Sequence, residues 1–166
     1  MPVKNSVSLQ PLNVANVREI NAWPPYEGAF RPLDYALRSG GWLDTLPESS
    51  STCRFAALLD GRLAGFSILT DITSEAAEIY LAVRADLTGH GVGRQILELT
   101  LARAFFEMKL IRVYLKVRVW HKHAIALYEK AGFVTTGQKQ EEVAGEMVDF
   151  QIMELQASHF KPAALA

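Results

Sequence analysis

A glycine-spaced turn is the part of this sequence whose residue types point most directly to chemistry. The stretch from Thr88 to Arg94 reads Thr-Gly-His-Gly-Val-Gly-Arg and lies shortly after an apolar run that ends at Val83. Its glycines allow positive φ angles and a close approach of the backbone to a ligand. A helix that begins here offers unpaired N–H groups and the positive end of its dipole to an anion. The pattern therefore predicts a phosphate or pyrophosphate site.

The turn does not match the common nucleotide-binding motifs. Its spacing is G-x-G-x-G rather than G-x-G-x-x-G, and the sequence contains no G-x-x-x-x-G-K-[ST] loop. The G-x-S-x-G elbow of a serine hydrolase does not occur either. His90, His121, His123 and Cys53 lack the paired spacing of a zinc site, so we expect no metal.

The elements before the turn read as strands. Residues 53–59 and 62–71 form a predicted hairpin around Asp60-Gly61, because a type I′ turn needs positive φ. A further strand is predicted over 77–83, and another over 7–12 near the start of the chain. Asn13 or Asn16 is expected to cap a short helix, and a second helix is predicted over 32–38, ended by Gly40-Gly41.

The elements after the turn complete a βαβ crossover. Residues 92–108 place apolar side chains on one helical face, and residues 111–119 alternate between apolar and polar side chains. A helix ended by Gly132 follows, and strands over 133–140 and 146–155 close the chain. Strand, helix and strand predict one parallel pair, and the flanking hairpins make the rest of the sheet antiparallel.

Composition narrows the protein class. The chain has 166 residues, a net charge of −1, 49% hydrophobic residues and one cysteine. These values are typical of one globular domain over 1–166, and they predict no nucleic-acid partner. Residues 1–5 lack the apolar core of a signal peptide, and no run of about 18 apolar residues suggests a membrane partner. We therefore expect a cytoplasmic protein, with its domain best supported over 53–155 and a frayed tail over 156–166.

Two ordered motifs resemble those of the GCN5-related N-acetyltransferases, the GNAT family. Val83 stands where the family's cofactor strand ends, and the glycine turn occupies the place of the acetyl-CoA motif Q/R-x-x-G-x-G/A. Residues 121–133 match the signature N-x-x-A-I-x-L-Y-E-K-x-G-F. Three positions depart from the family pattern: Thr88 replaces Gln or Arg, His121 replaces Asn, and Ala85 replaces a common proline.

The resemblance implies both a fold and an activity. The implied fold is mixed α/β, with a mostly antiparallel sheet of six to seven strands, one parallel pair and about four flanking helices. The implied activity is acetyl transfer from acetyl-CoA to an amine by direct attack in a ternary complex, without a metal. We expect a small-molecule amine as acceptor and leave a homodimer open. A protein N-terminal or lysine acetyltransferase, or a CoA-binding sensor without turnover, are the alternatives.

The resemblance also assigns roles to residues. Tyr128 matches the general acid toward the CoA thiolate, unless it is only a core residue. Glu78 stands where relatives place a general base, with Asp71 and Asp149 as alternatives and a solvated strand residue as the plainer interpretation. Backbone donors at the strand end suit the oxyanion, and we expect the next strand to diverge there. The expected cofactor-binding residues are Leu81, Ala82, Val83, Thr88, Gly89, His90, Gly91, Val92, Gly93, Arg94 and His121.

Acceptor recognition is expected from aromatic and acidic residues. Trp23, Tyr26 and Tyr80 are the predicted substrate-binding residues, because aromatic rings near carboxylates suit a cationic amine. The alternative for the N-terminal aromatics is that they fill the core. The sequence also contains a basic stripe on residues 112–118 and an acidic loop at residues 141–146. Each is either solvated or close to a ligand.

Overall fold

The computed structural model describes residues 6–162 and contains a seven-stranded sheet with four α-helices. The strands are β1 (Val7–Pro11), β2 (Cys53–Leu59), β3 (Arg62–Thr70), β4 (Ala76–Val83), β5 (Arg112–Arg118), β6 (Val134–Val143) and β7 (Glu146–Gln156). The helices are α1 (Val14–Asn21), α2 (Trp42–Thr45), α3 (Val92–Ala102) and α4 (Lys122–Ala131). The strand order is β1-β2-β3-β4-β5-β7-β6, and β4 and β5 are parallel. The mixed α/β fold predicted from the sequence is confirmed.

The chain divides into two compact units, and each unit combines two segments. Among the described residues, the first unit holds 6–68 and 81–99, and the second holds 69–80 and 100–162. Within the described part of the chain, no helix is long and apolar enough to cross a bilayer.

The first unit has its core between strands β1 to β3 and helix α3. A cluster of buried side chains joins Val7, Ala57, Ala64, Val92 and Ile96. The β2–β3 hairpin closes as predicted, because residues 60 and 61 both have positive φ, at 51° and 82°. The predicted cap of α1 is also confirmed, since the side chains and backbone N–H groups of residues 13 and 16 form a reciprocal capping box.

The second unit is organised around β5. Its residues Val113, Leu115 and Val117 are buried, as the alternating pattern predicted. Ile111 was expected on the same face, but it is 55% exposed because the strand begins only at Arg112. The whole strand pairs with β7, from Arg112 opposite Gln156 to Arg118 opposite Phe150. These ladders hold the polar face of β5 in register with β7.

One predicted helix has a different geometry. The α-helix expected over 32–38 is a 3-10 helix over Gly28–Leu37, with Pro32 inside it. A proline lacks the N–H that an α-helical bond requires, which favours short, tighter turns. The glycines expected to end this helix instead precede α2, and Gly41 is its N-cap.

The long helix after the turn also differs from the expectation. It is α-helical over Val92–Ala102 and continues as a π-helical segment over Arg103–Glu107. The Met108 N–H bonds the Arg103 carbonyl at 2.9 Å, which is the wider spacing of a π-helix.

The last hairpin is longer than predicted. Its strands extend to Val143 and from Glu146, and the turn is Ala144-Gly145 with φ of 51° and 83°. Glu141 therefore lies in β6 and not in a loop. The segment expected to be frayed begins with a 3-10 turn over 157–159, and the Phe160 ring lies 5.3 Å from that of Phe105.

Candidate active site

The glycine turn has the backbone conformation that a phosphate cradle needs. Gly89 and Gly91 both have φ of 81°, a region that a side chain would disfavour. Gly91 accepts the Gln95 N–H at 3.3 Å, so the helical hydrogen bonds of α3 begin at the turn. Val92 is buried and anchors this end of the helix in the first unit. The first N–H groups of α3 therefore start at the predicted anion site.

The polar side chains of the turn are exposed. The Thr88 hydroxyl donates to the Ala85 carbonyl at 2.9 Å, directly after the 3-10 turn over Ala85–Leu87. Arg94 forms an i,i+4 ion pair with Glu98 at 3.0 Å, but its side chain remains 67% exposed. A pair so open to water contributes little stability, so the guanidinium can exchange Glu98 for an anionic ligand. His90 is also exposed.

The end of β4 is held by residues distant in sequence. The Tyr26 hydroxyl donates to the Val83 carbonyl at 2.5 Å, and burial raises the pKa of Tyr26 to about 12. The Arg84 N–H donates to the Ala64 carbonyl at 2.8 Å. The cofactor strand predicted from the sequence therefore ends in a peptide bonded on both sides.

Gly65 in β3 allows a close approach of the end of β4 and of helix α3. A Cβ atom at Gly65 would lie 2.5 Å from the Ala82 carbonyl oxygen and 2.7 Å from Ile96 Cδ1. Real side chains do not reach such distances without displacement of the backbone. Gly65 thus permits β3, the end of β4 and α3 to meet within the first unit.

The predicted acceptor residues of the first unit are more buried than expected. Trp23 is only 4% exposed, and its indole N–H has no hydrogen-bond partner within residues 6–162. Tyr26 donates its backbone N–H to Asp34 at 2.9 Å, and Asp34 forms a bidentate pair with Arg38 at 2.8 Å. Trp23 and the Asp34–Arg38 pair are therefore part of the framework of this segment, whereas Phe30 and Tyr35 are exposed.

Glu78 lies on β4 in the second unit and has an unusual environment. Desolvation by burial raises its pKa, as do the charges of Asp71 and Glu141. A hydrogen bond from the Tyr80 hydroxyl and the charge of Lys116 oppose this rise. A half-buried carboxylate with a raised pKa is a candidate general base.

The parallel ladder ends at Glu78. It pairs β4 with β5 only from Ala76 opposite Arg112 to Glu78 opposite Tyr114, although both strands continue. This end of the ladder agrees with the predicted divergence of the two strands. Tyr80 lies beyond it, and its pKa is raised by burial and by Glu78.

The basic stripe of β5 meets carboxylates. Lys116 contacts Glu141 of β6 at 2.6 Å, and Lys139 contacts the same carboxylate at 2.6 Å. Arg112 contacts Glu154 of β7, also at 2.6 Å. The stripe is thus neither plainly solvated nor a bare anion site, since its charges are largely neutralised within the second unit.

Tyr128 lies on α4 with its ring partly buried. It forms an edge contact with Phe133 at 5.7 Å between ring centroids. Burial raises its pKa to about 12, without a contribution from a charged neighbour. The hydroxyl therefore stays protonated throughout the neutral range and can donate a hydrogen bond.

His121 begins the same helix. Its Nδ1 accepts the Ala124 N–H at 3.3 Å, so it caps α4 in place of the family's asparagine. Burial, followed by His123 and Arg118, lowers the pKa of His121. The ring is thus neutral near pH 7, and the proton lies on Nε2, where it can be donated.

The alternative bases are placed less favourably than Glu78. Asp149 is exposed and accepts the side-chain amide of Gln140 at 2.7 Å. Asp71 is exposed at the end of β3 with φ of 50°. Within residues 6–162, no group of three histidine, cysteine or acidic side chains could hold a metal ion.

Sequence reasoning missed the contacts made at long range. The local Asp34–Arg38 pair could have been predicted, because an acid and a base four positions apart are neighbours on a helix. No pattern in the sequence indicates the hydrogen bonds of Tyr26 to Val83 and of Lys116 to Glu141, since they span 57 and 25 positions.

The chain is similar to known N-acetyltransferases. The chain is 26% identical to spermidine N(1)-acetyltransferase of Escherichia coli (strain K12) over 149 residues, which is 86% of this chain and 80% of the relative. It is 36% identical over 74 residues to [ribosomal protein bS18]-alanine N-acetyltransferase of Salmonella typhimurium, which is 45% of this chain and 49% of that protein.

Solved structures share the fold. The crystal structure of spermidine N-acetyltransferase from Vibrio cholerae in complex with CoA and spermine matches with a TM-score of 0.71 at 23% identity, covering 93% of this chain and 97% of that one. The family model of the acetyltransferase (GNAT) family matches residues 15–133, a range that holds the turn and the whole second motif. The chain therefore belongs to the GNAT family, and it is an N-acetyltransferase.

Proposed function

We propose that the protein transfers the acetyl group of acetyl-CoA to a primary amine of a small cationic molecule, by direct attack in a ternary complex. The observation that carries this proposal is Glu78, a half-buried carboxylate with a raised pKa and a hydrogen bond from Tyr80. An ammonium ion must lose a proton before its nitrogen can attack a thioester. A carboxylate with a raised pKa is a better acceptor for that proton than an ordinary one.

In the proposed reaction, separate groups act as the base for the amine, as donors to the oxyanion and as the donor to the thiolate. Glu78 accepts one proton from the ammonium group, and the neutral nitrogen then forms a bond to the thioester carbon. The second nitrogen proton, which the amide must also lose, ends on the CoA sulfur. Backbone N–H groups of Leu81, Ala82 and Val83 stabilise the oxyanion, since fixed peptide dipoles need little reorganisation. The carbon–sulfur bond then breaks, and the Tyr128 hydroxyl donates to the departing thiolate.

Acetyl-CoA suits the glycine turn. The left-handed Gly89 and Gly91 expose backbone N–H groups at the start of α3, which favours a pyrophosphate. In the proposal, Thr88, His90, Val92, Gly93 and Arg94 complete this contact, mainly through the backbone. His121 donates from Nε2 to the pantetheine arm.

The match to the family model includes residues of both compact units, which supports a single acetyltransferase domain.

A polyamine-like acceptor is favoured by charge. Burial is the largest cause of the raised pKa of Tyr114; the carboxylates of Glu78, Asp71 and Glu154 act in the same direction, and Arg112 opposes them. Carboxylates close to one another favour an acceptor with several ammonium groups. A relative from Escherichia coli that matches over 149 residues is named for spermidine. We therefore propose Tyr80 as an acceptor contact, with Trp23 and the Tyr26 ring as parts of the acceptor segment.

The test is release of CoA, followed with DTNB, with a panel of acceptors at one fixed acetyl-CoA concentration. Spermidine and spermine are expected to give the highest kcat/KM, ahead of amino sugars and amino acids. A matched variant, Glu78→Gln, keeps the shape of the side chain but removes the base. We expect it to lower kcat by at least about 100-fold.

The same panel, with an Ala-initiated peptide added, separates the other two functions. The match of 36% identity favours an alanine N-terminus as the second candidate, although it covers 45% of this chain. Faster turnover of an Ala-initiated peptide than of any polyamine would establish that candidate. Tight acetyl-CoA binding without CoA release for any acceptor would instead indicate a sensor.

A further inference from the structure

The hydrogen bond between Tyr26 and Val83 links the acceptor segment to the cofactor strand. Its donor is the Tyr26 hydroxyl and its acceptor is the Val83 carbonyl, at 2.5 Å. The N–H of the same peptide belongs to Arg84 and donates to the Ala64 carbonyl at 2.8 Å. A peptide bonded at both its oxygen and its nitrogen has a fixed plane, and the two bonds polarise one another.

Tyr26 is in turn held by a charged pair. Its backbone N–H donates to Asp34 at 2.9 Å, and Arg38 donates two hydrogen bonds to the same carboxylate at 2.8 Å. Arg38 also donates to the carbonyls of Asn21 at 3.0 Å and Trp23 at 2.7 Å. Bidentate pairs of this kind fix geometry as well as adding energy. The position of the Tyr26 hydroxyl is therefore set by the framework around it.

We propose that Tyr26 is a positioning residue for acetyl-CoA. Its hydroxyl fixes the peptide group between Val83 and Arg84, and this holds the end of β4 so that the backbone donors of the strand keep the orientation that the cofactor requires. The inference rests on the proposed function, because it takes Leu81–Val83 as cofactor-binding residues. The Asp34–Arg38 pair acts through Tyr26. Substrate contact by the Tyr26 hydroxyl is not part of this role, since Val83 already uses its proton.

The hydroxyl can keep this role at every working pH. Burial and the nearby Asp34 raise the pKa of Tyr26 to about 12, so the group remains a donor. Loss of the hydroxyl leaves a partly buried carbonyl without its partner, while the ring still fills its place.

The decisive variant is Tyr26→Phe, with Tyr35→Phe as the matched control. Tyr35 lies in the neighbouring 3-10 helix and is 37% exposed, so the control removes the same atom from an open position. Titration calorimetry measures the Kd of acetyl-CoA, and the DTNB assay measures the KM of spermidine at saturating acetyl-CoA. For Tyr26→Phe we expect the Kd to rise about tenfold and the spermidine KM to stay within about twofold. The control should change neither.

The two constants distinguish the possible roles. A rise in the spermidine KM with an unchanged acetyl-CoA Kd would mean direct acceptor contact and would overturn the proposal. A lower melting temperature with both constants unchanged would mean a purely structural role and would overturn it too. Asp34→Asn provides a second variant if Tyr26→Phe does not fold, and it should raise the same Kd. Wild-type protein that binds no acetyl-CoA would refute the proposed function itself.

Discussion

Substitution of Tyr128 by phenylalanine tests the most specific step of the proposed reaction. The change removes one hydroxyl group and leaves the ring in contact with Phe133. Burial raises the pKa of Tyr128 to about 12, whereas an ordinary thiol has a pKa of about 8.5. Complete proton transfer from this tyrosine to a thiolate is therefore uphill by about 3 to 4 pH units, or about 5 kcal/mol.

This difference limits the size of the expected effect. A donor that keeps its proton stabilises the departing thiolate by a hydrogen bond to a charged group, which is worth about 1.5 to 3 kcal/mol. We therefore expect Tyr128→Phe to lower kcat about 10- to 100-fold, below the upper range for general acid catalysis. The pH–rate profile should lack a basic limb from Tyr128 below pH 10.

The assay is CoA release at saturating acetyl-CoA and spermidine, with calorimetric titration of acetyl-CoA in parallel. Tyr35→Phe is again the control for loss of an exposed hydroxyl. Unchanged kcat together with unchanged acetyl-CoA affinity would show that the Tyr128 hydroxyl does not act on the departing thiolate. A loss greater than about 10⁴-fold would also contradict it, because a hydrogen bond alone cannot account for that magnitude.

The charges around Glu78, the close packing at Gly65 and the backbone angle of Lys109 each allow a further prediction. Because the pKa of Glu78 is raised, the acid limb of kcat/KM should lie at higher pH than for an ordinary glutamate. Lys116→Gln should move this limb to higher pH and Glu141→Gln to lower pH; shifts in one direction for both variants would contradict the charge argument. Gly65→Ala should lower the free energy of unfolding by about 1 to 3 kcal/mol in urea titrations, whereas Gly137→Ala, with no atom within 4 Å of its added Cβ, should not. Lys109 has φ of 60°, so Lys109→Gly should raise the free energy of unfolding by about 0.5 to 1 kcal/mol; a decrease would show that its side chain matters more than its backbone.

Features that depend on neighbouring residues were predictable from the sequence. The Asp60-Gly61 turn, the Asn13 cap and the Gly132 stop each follow from the local φ and hydrogen bonds that those residue types favour. The glycine turn belongs to the same class. The single parallel pair followed from the strand–helix–strand crossover.

Features that depend on distant residues were not predictable. The environment of Glu78 depends on Lys116 and Glu141, which reach it only because β4, β5 and β6 are held in one sheet. Periodicity predicts which face a side chain occupies, but it contains no information on the partner across that face.

The π-helical segment at Arg103–Glu107 has a consequence for chain-length variation among homologues. A π-helical turn contains about one residue more than an α-helical turn of the same rise, so an inserted residue is absorbed there without displacing its neighbours. We expect homologues that are one residue shorter between α3 and β5 to continue as a regular α-helix. An alignment gap placed at 103–107 would then preserve the burial of Leu101 before it and of Val113 after it.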